Sequence, residues 1–300
     1  MKRFLEETVL SIIRLIGKLP LSFHLWMAKF HTWVFQSLLR YRTEVVYINL
    51  ARSFPELKSS HIKVIAGKFY SHLGEIVSEA IWFAGSTPER VKKQKIYNIE
   101  NPEVLNNAYK KSPSVALLTS HCGNWEIFGG IFANNLSDAE PDAFEKDNLQ
   151  FIYKELSNGF WNNVFLKMRS APIPEFKNLL ESKCALRFAL KHKDKKNIYI
   201  IPADQSPYAS KTDIGEFMNQ KTYGMIGFLA LAHKLGMSVV YTRMVNTSSG
   251  KYDIIFKEIC EDASKYSPEV LLRMYFDELE EEINETPHNW LWSHNRWKIV

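Results

Sequence analysis

The chain has 300 residues, 46% of them hydrophobic and 24% charged, a balance that excludes wholesale disorder, a collagen-like repeat and a disulfide scaffold. Its net charge of +5 is modest for a nucleic-acid binder, but the charge is unevenly spread: residues 1–72 hold eleven Lys and Arg against four Asp and Glu, a balance of +7, and the rest of the chain balances to −2. Such asymmetry points to an anionic contact, nucleic acid or membrane, made by one end.

The amino-terminal stretch reads as helix. Between Glu7 and Glu44 there is no acidic residue, whereas Arg14, Lys18, Lys29, Arg40 and Arg42 all fall there. Phe23, Trp26, Phe30 and Trp33 recur at steps of three, four and three, which stacks them on one helical face. An aromatic face flanked by cations fits a helix lying in a membrane interface, and it equally fits a core helix packed on the rest of the chain. Residues 4–39 are rich in apolar residues, but Arg14, Lys18, His24, Lys29 and His31 interrupt them, so no run reaches the roughly 18–20 residues that a span needs. No small-residue cleavage site follows an apolar core, so no cleaved signal peptide is expected.

After the Phe54-Pro55 break, Ile62, Ile65, Phe69, Leu73, Ile76 and Ala80 predict a helix over 61–83, which Gly85-Ser86-Thr87-Pro88 ends. From about residue 96 short apolar runs alternate with helical patterns. Strands are predicted over Val115–Thr119, Phe151–Tyr153, Ile198–Ile201, Met237–Val245 and Tyr252–Ile259. Helices are predicted over Trp125–Asn135, Asn178–His192, Tyr223–Leu235 (with Gly236 as its C-cap) and Pro268–Glu285, whose acidic run reads as a solvated face. Ser137–Asn148 reads as a loop. This order predicts an α/β fold: a mixed, largely parallel sheet covered by helices, with an N-terminal helical extension, a membrane-docking one on the first of the two readings above. Residues 1–60 are read as the membrane-associated helical segment and 61–300 as the catalytic domain.

The sharpest chemical signal is Leu118-Thr119-Ser120-His121-Cys122-Gly123-Asn124-Trp125-Glu126, where a buried strand gives way to a helix. In open α/β sheets, ligands gather at the carboxyl ends of strands. On one continuous helix His121 and Glu126 would lie about 140° apart and meet poorly. With His121 in the turn, Gly123 lets the chain fold the two together, and Asn124 becomes the N-cap. A carboxylate on one imidazole nitrogen fixes the tautomer and frees the other as a general base. Free N–H groups at the helix start are then available to a developing oxyanion. The plain alternative is a polar turn His and a first-turn acid favoured by the helix dipole. Asp204, after Ile198–Ile201, stands at another strand end and can face the same crevice, or simply cap a turn. Lys154, Lys167 and Arg169 are cations available to an anion, or solvated surface charge. Cys122, Cys184 and Cys260 form no CxxC pair and fit free thiols in a reducing compartment. No phosphate loop, dinucleotide fingerprint or G-x-S-x-G elbow is present, and no metal or cofactor is expected.

Taken in order, Arg42…Asn49-Leu50…Phe54-Pro55-Glu56-Leu57, the 120–126 segment, Ala203-Asp204-Gln205 and Trp290-Leu291-Trp292-Ser293-His294-Asn295-Arg296-Trp297-Lys298 resemble the bacterial lipid A secondary (lauroyl/myristoyl) acyltransferases, within the wider lysophospholipid acyltransferase group. The resemblance spans nearly the whole chain. It implies an enzyme on the cytoplasmic face of the inner membrane that takes an acyl chain from an acyl carrier protein thioester. The acceptor it implies is a hydroxyl on a membrane glycolipid, the lipid A precursor. His121 and Glu126 match the family's His-x4-acid dyad, and Arg169 and Asp204 match its later functional Arg and Asp. His121 then deprotonates the acceptor hydroxyl and Glu126 orients it, with Asn124, Lys154, Arg169 and Asp204 as the substrate-binding set. Many relatives carry Arg where this chain has Lys154, so the charge is kept but the bidentate fork is lost.

Three other readings stay open at this level: another lipid acceptor such as a lysophospholipid or an aminoacyl lipid, a thiol esterase or hydrolase using Cys122, and a non-catalytic membrane-docking module. The expected partners are acyl carrier protein, the glycolipid acceptor and an anionic membrane surface, with no nucleic acid.

Overall fold

The computed structural model describes residues 2–132, 148–172, 179–206 and 212–298. Its strands are β1 (Tyr97–Ile99), β2 (Val115–Thr119), β3 (Leu149–Tyr153), β4 (Leu179–Glu181), β5 (Ile198–Pro202), β6 (Thr212–Phe217), β7 (Gln220–Gly224), β8 (Ser238–Ser248) and β9 (Lys251–Cys260). Seven of them form one sheet in the order β1-β9-β8-β2-β5-β3-β4. Every neighbouring pair is parallel except β8 with β9, which a Ser-Gly turn joins as a hairpin. The predicted mixed, largely parallel sheet is therefore the sheet observed.

The helices are α1 (Lys2–Gly17), α2 (Leu21–Trp33), α3 (Thr43–Ser53), α4 (Ser59–Ala84), α5 (Pro88–Gln94), α6 (Pro102–Lys111), α7 (Gly159–Arg169), α8 (Ser182–Lys191), α9 (Gly227–Leu235) and α10 (Pro268–Glu285), with a 3₁₀ helix at Trp125–Ile131. Apolar layers cover both faces of the sheet. Ala116 and Leu118 of β2 join one core with residues of α8, α9 and α10, while Val115 and Leu117 join another with Trp82, Phe83 and Ile127. This two-sided burial is why β2 reads as an unbroken apolar run rather than an alternating one.

α1 and α2 are bent by 115° and both pack on α4. Among the described residues no single helix is long and apolar enough to cross a membrane, though the bent α1–α2 pair has the length and composition together. The approach of α2 to α4 is close: a Cβ at Gly74 would stand 2.4 Å from Thr32 Oγ1 and 2.6 Å from the Ala28 carbonyl oxygen. Leu21, His24 and Ala28 face inward, and the aromatic stripe faces out, with Trp26 62% and Phe30 and Trp33 each 52% exposed. α3 contributes Val46 and Leu50 to the same core as β2 and β5.

Some boundaries differ from the sequence reading. The helix expected from Asn178 begins at Ser182, because residues 179–181 pair with β3 as the edge strand β4. Tyr223 and Gly224 belong to β7, so α9 begins only at Gly227. The β6–β7 hairpin was not expected: it turns through Met218 and Asn219 at φ of 52° and 58°, a left-handed pair without the glycine that normally signals such a turn. The helix expected over 125–135 is the 3₁₀ helix Trp125–Ile131, and residues 133–147, most of the expected 137–148 loop, lie outside the described residues.

Candidate active site

The register between β2 and β5 builds the site. Thr119 pairs with Pro202, so the two chains leave the sheet side by side, and two residues further on each side stand His121 and Asp204. His121 Nδ1 lies 2.6 Å from Asp204 Oδ1, and the His121 backbone N–H donates to Asp204 Oδ2 at 2.9 Å. Trp290 Nε1 donates to that same Oδ2, also at 2.9 Å. Burial by itself would raise the Asp204 carboxyl, but the His121 charge and these hydrogen bonds outweigh it and hold the group well below the usual carboxylate range. A carboxylate at Nδ1 puts the proton of neutral His121 on that nitrogen and leaves Nε2 with its lone pair.

The turn that carries His121 is shaped by two residues. Gly123 has φ of +62°, and a Cβ there would stand 2.4 Å from the Met244 carbonyl oxygen, so only glycine fits. Its N–H donates to the Asn289 carbonyl, and its own carbonyl accepts from His72 Nε2 at 3.1 Å. Asn124 is the expected N-cap, with Oδ1 accepting from the Glu126 N–H at 3.2 Å. Its Nδ2 turns inward to Glu79 Oε2 at 2.8 Å, and the residue is fully buried, so its side chain serves the turn and does not face the open edge.

Glu126 is held by a different residue from the one its spacing suggests. Arg169, at the end of α7, grips it with a fork: Nε to Oε2 at 2.7 Å and Nη2 to Oε1 at 2.8 Å. Trp125 Nε1 adds a bond to Oε1 at 3.0 Å, and the Trp125 ring stands edge-on to His121 with centroids 5.3 Å apart. Burial opposes ionisation of Glu126, but Arg169 outweighs it and lowers the carboxyl below its ordinary value. The carboxylate hydrogen-bonded to the His121 ring is thus Asp204, 83 residues away, and Glu126 sits beside the pair in an ion pair with Arg169. The structure brings His121, Glu126, Arg169 and Asp204 together. Lys154 is exposed just past β3, on the same edge of the sheet.

Cys122 points the other way. It is buried, and burial pushes its thiol well above the ordinary value, with Glu282 adding to the effect, so it holds no thiolate. The backbone N–H groups of His121, Cys122, Gly123, Glu126 and Ile127 all have acceptors within the protein, so these five are not available to an oxyanion as the turn suggests in sequence. Residues that the spacing argument missed stand behind the turn: Glu79 and His72 of α4. An acid and a histidine on the buried face of an apolar helix are the one signal that marks them.

A search of curated proteins finds no match. The family model of the bacterial lipid A biosynthesis acyltransferases matches residues 2–299, nearly the whole chain, and with the His121 site at the strand ends in place the chain belongs to that family of acyltransferases.

Proposed function

We propose that the protein transfers a fatty acyl chain from an acyl carrier protein thioester to a hydroxyl of a lipid A precursor, with His121 as general base. The observation that carries this is the His121–Asp204 pair, which fixes the tautomer and presents Nε2 as a proton acceptor. In the proposed reaction the hydroxyl attacks the thioester directly, its proton passing to Nε2 and then to the departing thiolate. Asp204 orients His121 and stabilises the imidazolium, the role that the His-x4-acid spacing suggests for Glu126. Glu126 and Arg169 act as one unit beside it, placing a guanidinium near an anionic substrate group, with Lys154 further along the edge.

We further propose that residues 1–60 dock the protein on the cytoplasmic face of the inner membrane, and that residues 61–300 form the catalytic domain. The outward aromatic stripe of α2 and the +7 balance of residues 1–72 support this reading. The buried thiol of Cys122 argues against the esterase alternative, and Cys122→Ser is expected to leave turnover nearly unchanged.

The test is purified protein incubated with acyl carrier protein thioester and an under-acylated lipid A precursor, with a lysophospholipid run in parallel. An acylated precursor is expected from the wild type, none from His121→Ala, and a rate reduced about 10²–10⁴-fold from Asp204→Asn. Acylation of the lysophospholipid alone would move the acceptor to another lipid class, and full activity of His121→Ala would sink the mechanism.

A further inference from the structure

The proton-accepting nitrogen of His121 has a neighbour that the reaction above leaves without a task. Gln205 follows Asp204 directly at the end of β5, and its side-chain Nε2 lies 3.1 Å from His121 Nε2. Because Asp204 holds the ring proton on Nδ1, the group facing Nε2 meets a lone pair and must donate to it. The amide N–H of Gln205 therefore points at the atom that takes the proton during acyl transfer. Gln205 is half-buried, unlike its buried neighbours Asp204 and Ser206, so it stands at the open side of the pair.

The chemistry needs a donor at that place. Attack on a thioester carbonyl moves the carbonyl electron pair onto oxygen, and this oxyanion gains most from donors fixed beforehand in a water-poor site. The backbone N–H groups of His121, Cys122, Gly123, Glu126 and Ile127 are already engaged and Trp125 Nε1 is held by Glu126, whereas the Gln205 amide is a donor that already faces the reacting nitrogen. From this we infer that Gln205 is a catalytic residue that donates an N–H to the tetrahedral oxyanion.

The inference rests on the acyl-transfer reading. On entry the acceptor hydroxyl takes the place of the amide at Nε2. As the O–C bond forms, the hydroxyl proton passes to Nε2 and the carbonyl oxygen becomes the oxyanion, which the released Gln205 N–H meets. Collapse re-forms the carbonyl, breaks the C–S bond, and the thiolate leaves with the proton from Nε2. Gln205 therefore guards the base in the free enzyme and stabilises the intermediate in the loaded one.

Two measurements on Gln205→Ala and Gln205→Glu test this. With the thioester donor and the lipid A precursor, kcat is expected to fall about 10²–10³-fold while KM for the acceptor changes little. A KM effect alone, or a kcat within about threefold of wild type, overturns the oxyanion role. Independently of turnover, the rate at which diethyl pyrocarbonate modifies His121, read by peptide mass mapping, is expected to rise about fivefold in Gln205→Ala, the factor that one hydrogen bond is worth. An unchanged rate shows that the amide does not cover Nε2 and overturns the inference. If the wild type itself fails to acylate the precursor, the proposed function fails, and the modification rate still decides whether Gln205 faces the base.

Discussion

Asn124 shows how one residue joins the His121 turn to the buried side of the molecule. Its Oδ1 caps the 3₁₀ helix, and its Nδ2 donates to Glu79, which also accepts from the Tyr252 hydroxyl at 2.7 Å. Burial pushes the Glu79 carboxyl up to about 7, although the Asn124 and Tyr252 bonds oppose the shift. In the unfolded chain a glutamate titrates near 4.3. Between these values the folded state holds a proton that the unfolded state has lost, so stability falls as pH rises through this window. Glu282 is raised to about 7 by burial in the same way, so two groups contribute. Glu79→Gln keeps an acceptor for Asn124 and Tyr252 but cannot ionise. Its melting temperature is expected to match or trail the wild type at pH 5 and to exceed it at pH 8. Parallel melting curves across that range would mean that Glu79 does not titrate there.

At the level of elements, α2 has two unlike faces. The inner one is pinned to α4 through the close approach at Gly74 and the 2.7 Å hydrogen bond between His31 Nδ1 and Ser78 Oγ. The outer one carries Phe23, Trp26, Phe30 and Trp33, whose rings meet in the pairs Phe23–Trp26 and Phe30–Trp33. Deleting residues 1–40 would strip α4 as well as remove the stripe, so the cleaner variant is Trp26→Ser, Phe30→Ser and Trp33→Ser together. Each buried aromatic is worth about 1.5–3 kcal/mol, so co-sedimentation with anionic vesicles is expected to fall at least about tenfold with the fold intact. Raising salt to 1 M, which shortens the screening length to about 3 Å, is expected to weaken the wild type as well. Undiminished co-sedimentation of the triple variant would reject the docking face. The orientation of this stripe was not legible in the sequence, because the 3.6-residue period marks a face without saying what covers it. The long elements were legible: Val115–Thr119 and Pro268–Glu285 match their predicted bounds, since packing supports a strong local pattern there. β4 and β6 were not, because a three-residue edge strand and a strand bulged between Asp213 and Glu216 leave too little pattern to read.

Across the whole molecule, the candidate site is assembled from segments far apart in sequence, which explains what spacing alone misread. The strand-end turn with His121 is visible locally, and so is Asp204 at the end of its own strand. The hydrogen bond between them depends on the β2–β5 register, which no local pattern encodes, so the nearby Glu126 looked like the partner. The carboxyl-terminal segment enters the same way: Trp290 donates to Asp204, and the residues just after it are held by α3 and its N-cap Arg42. Asn49 of α3 is buried and its Nδ2 donates to the carbonyls of Trp292 and His294, at 2.9 and 3.0 Å, while Arg42 Nη1 donates to the Ser293 carbonyl at 2.9 Å. Asn49 touches neither His121 nor Asp204, so any effect on turnover passes through this segment. Asn49→Ala leaves carbonyls without their donor, which costs about 1–3 kcal/mol for each one left unsatisfied. If about 1.4 kcal/mol of that loosens the Trp290 bond to Asp204, kcat falls about tenfold, with KM for both substrates unchanged. The measurement is steady-state turnover well below the melting temperature of the variant. A lowered melting temperature with an unchanged kcat would show that the carboxyl-terminal segment holds Asp204 without help from α3, and that the two ends of the chain are joined for stability alone.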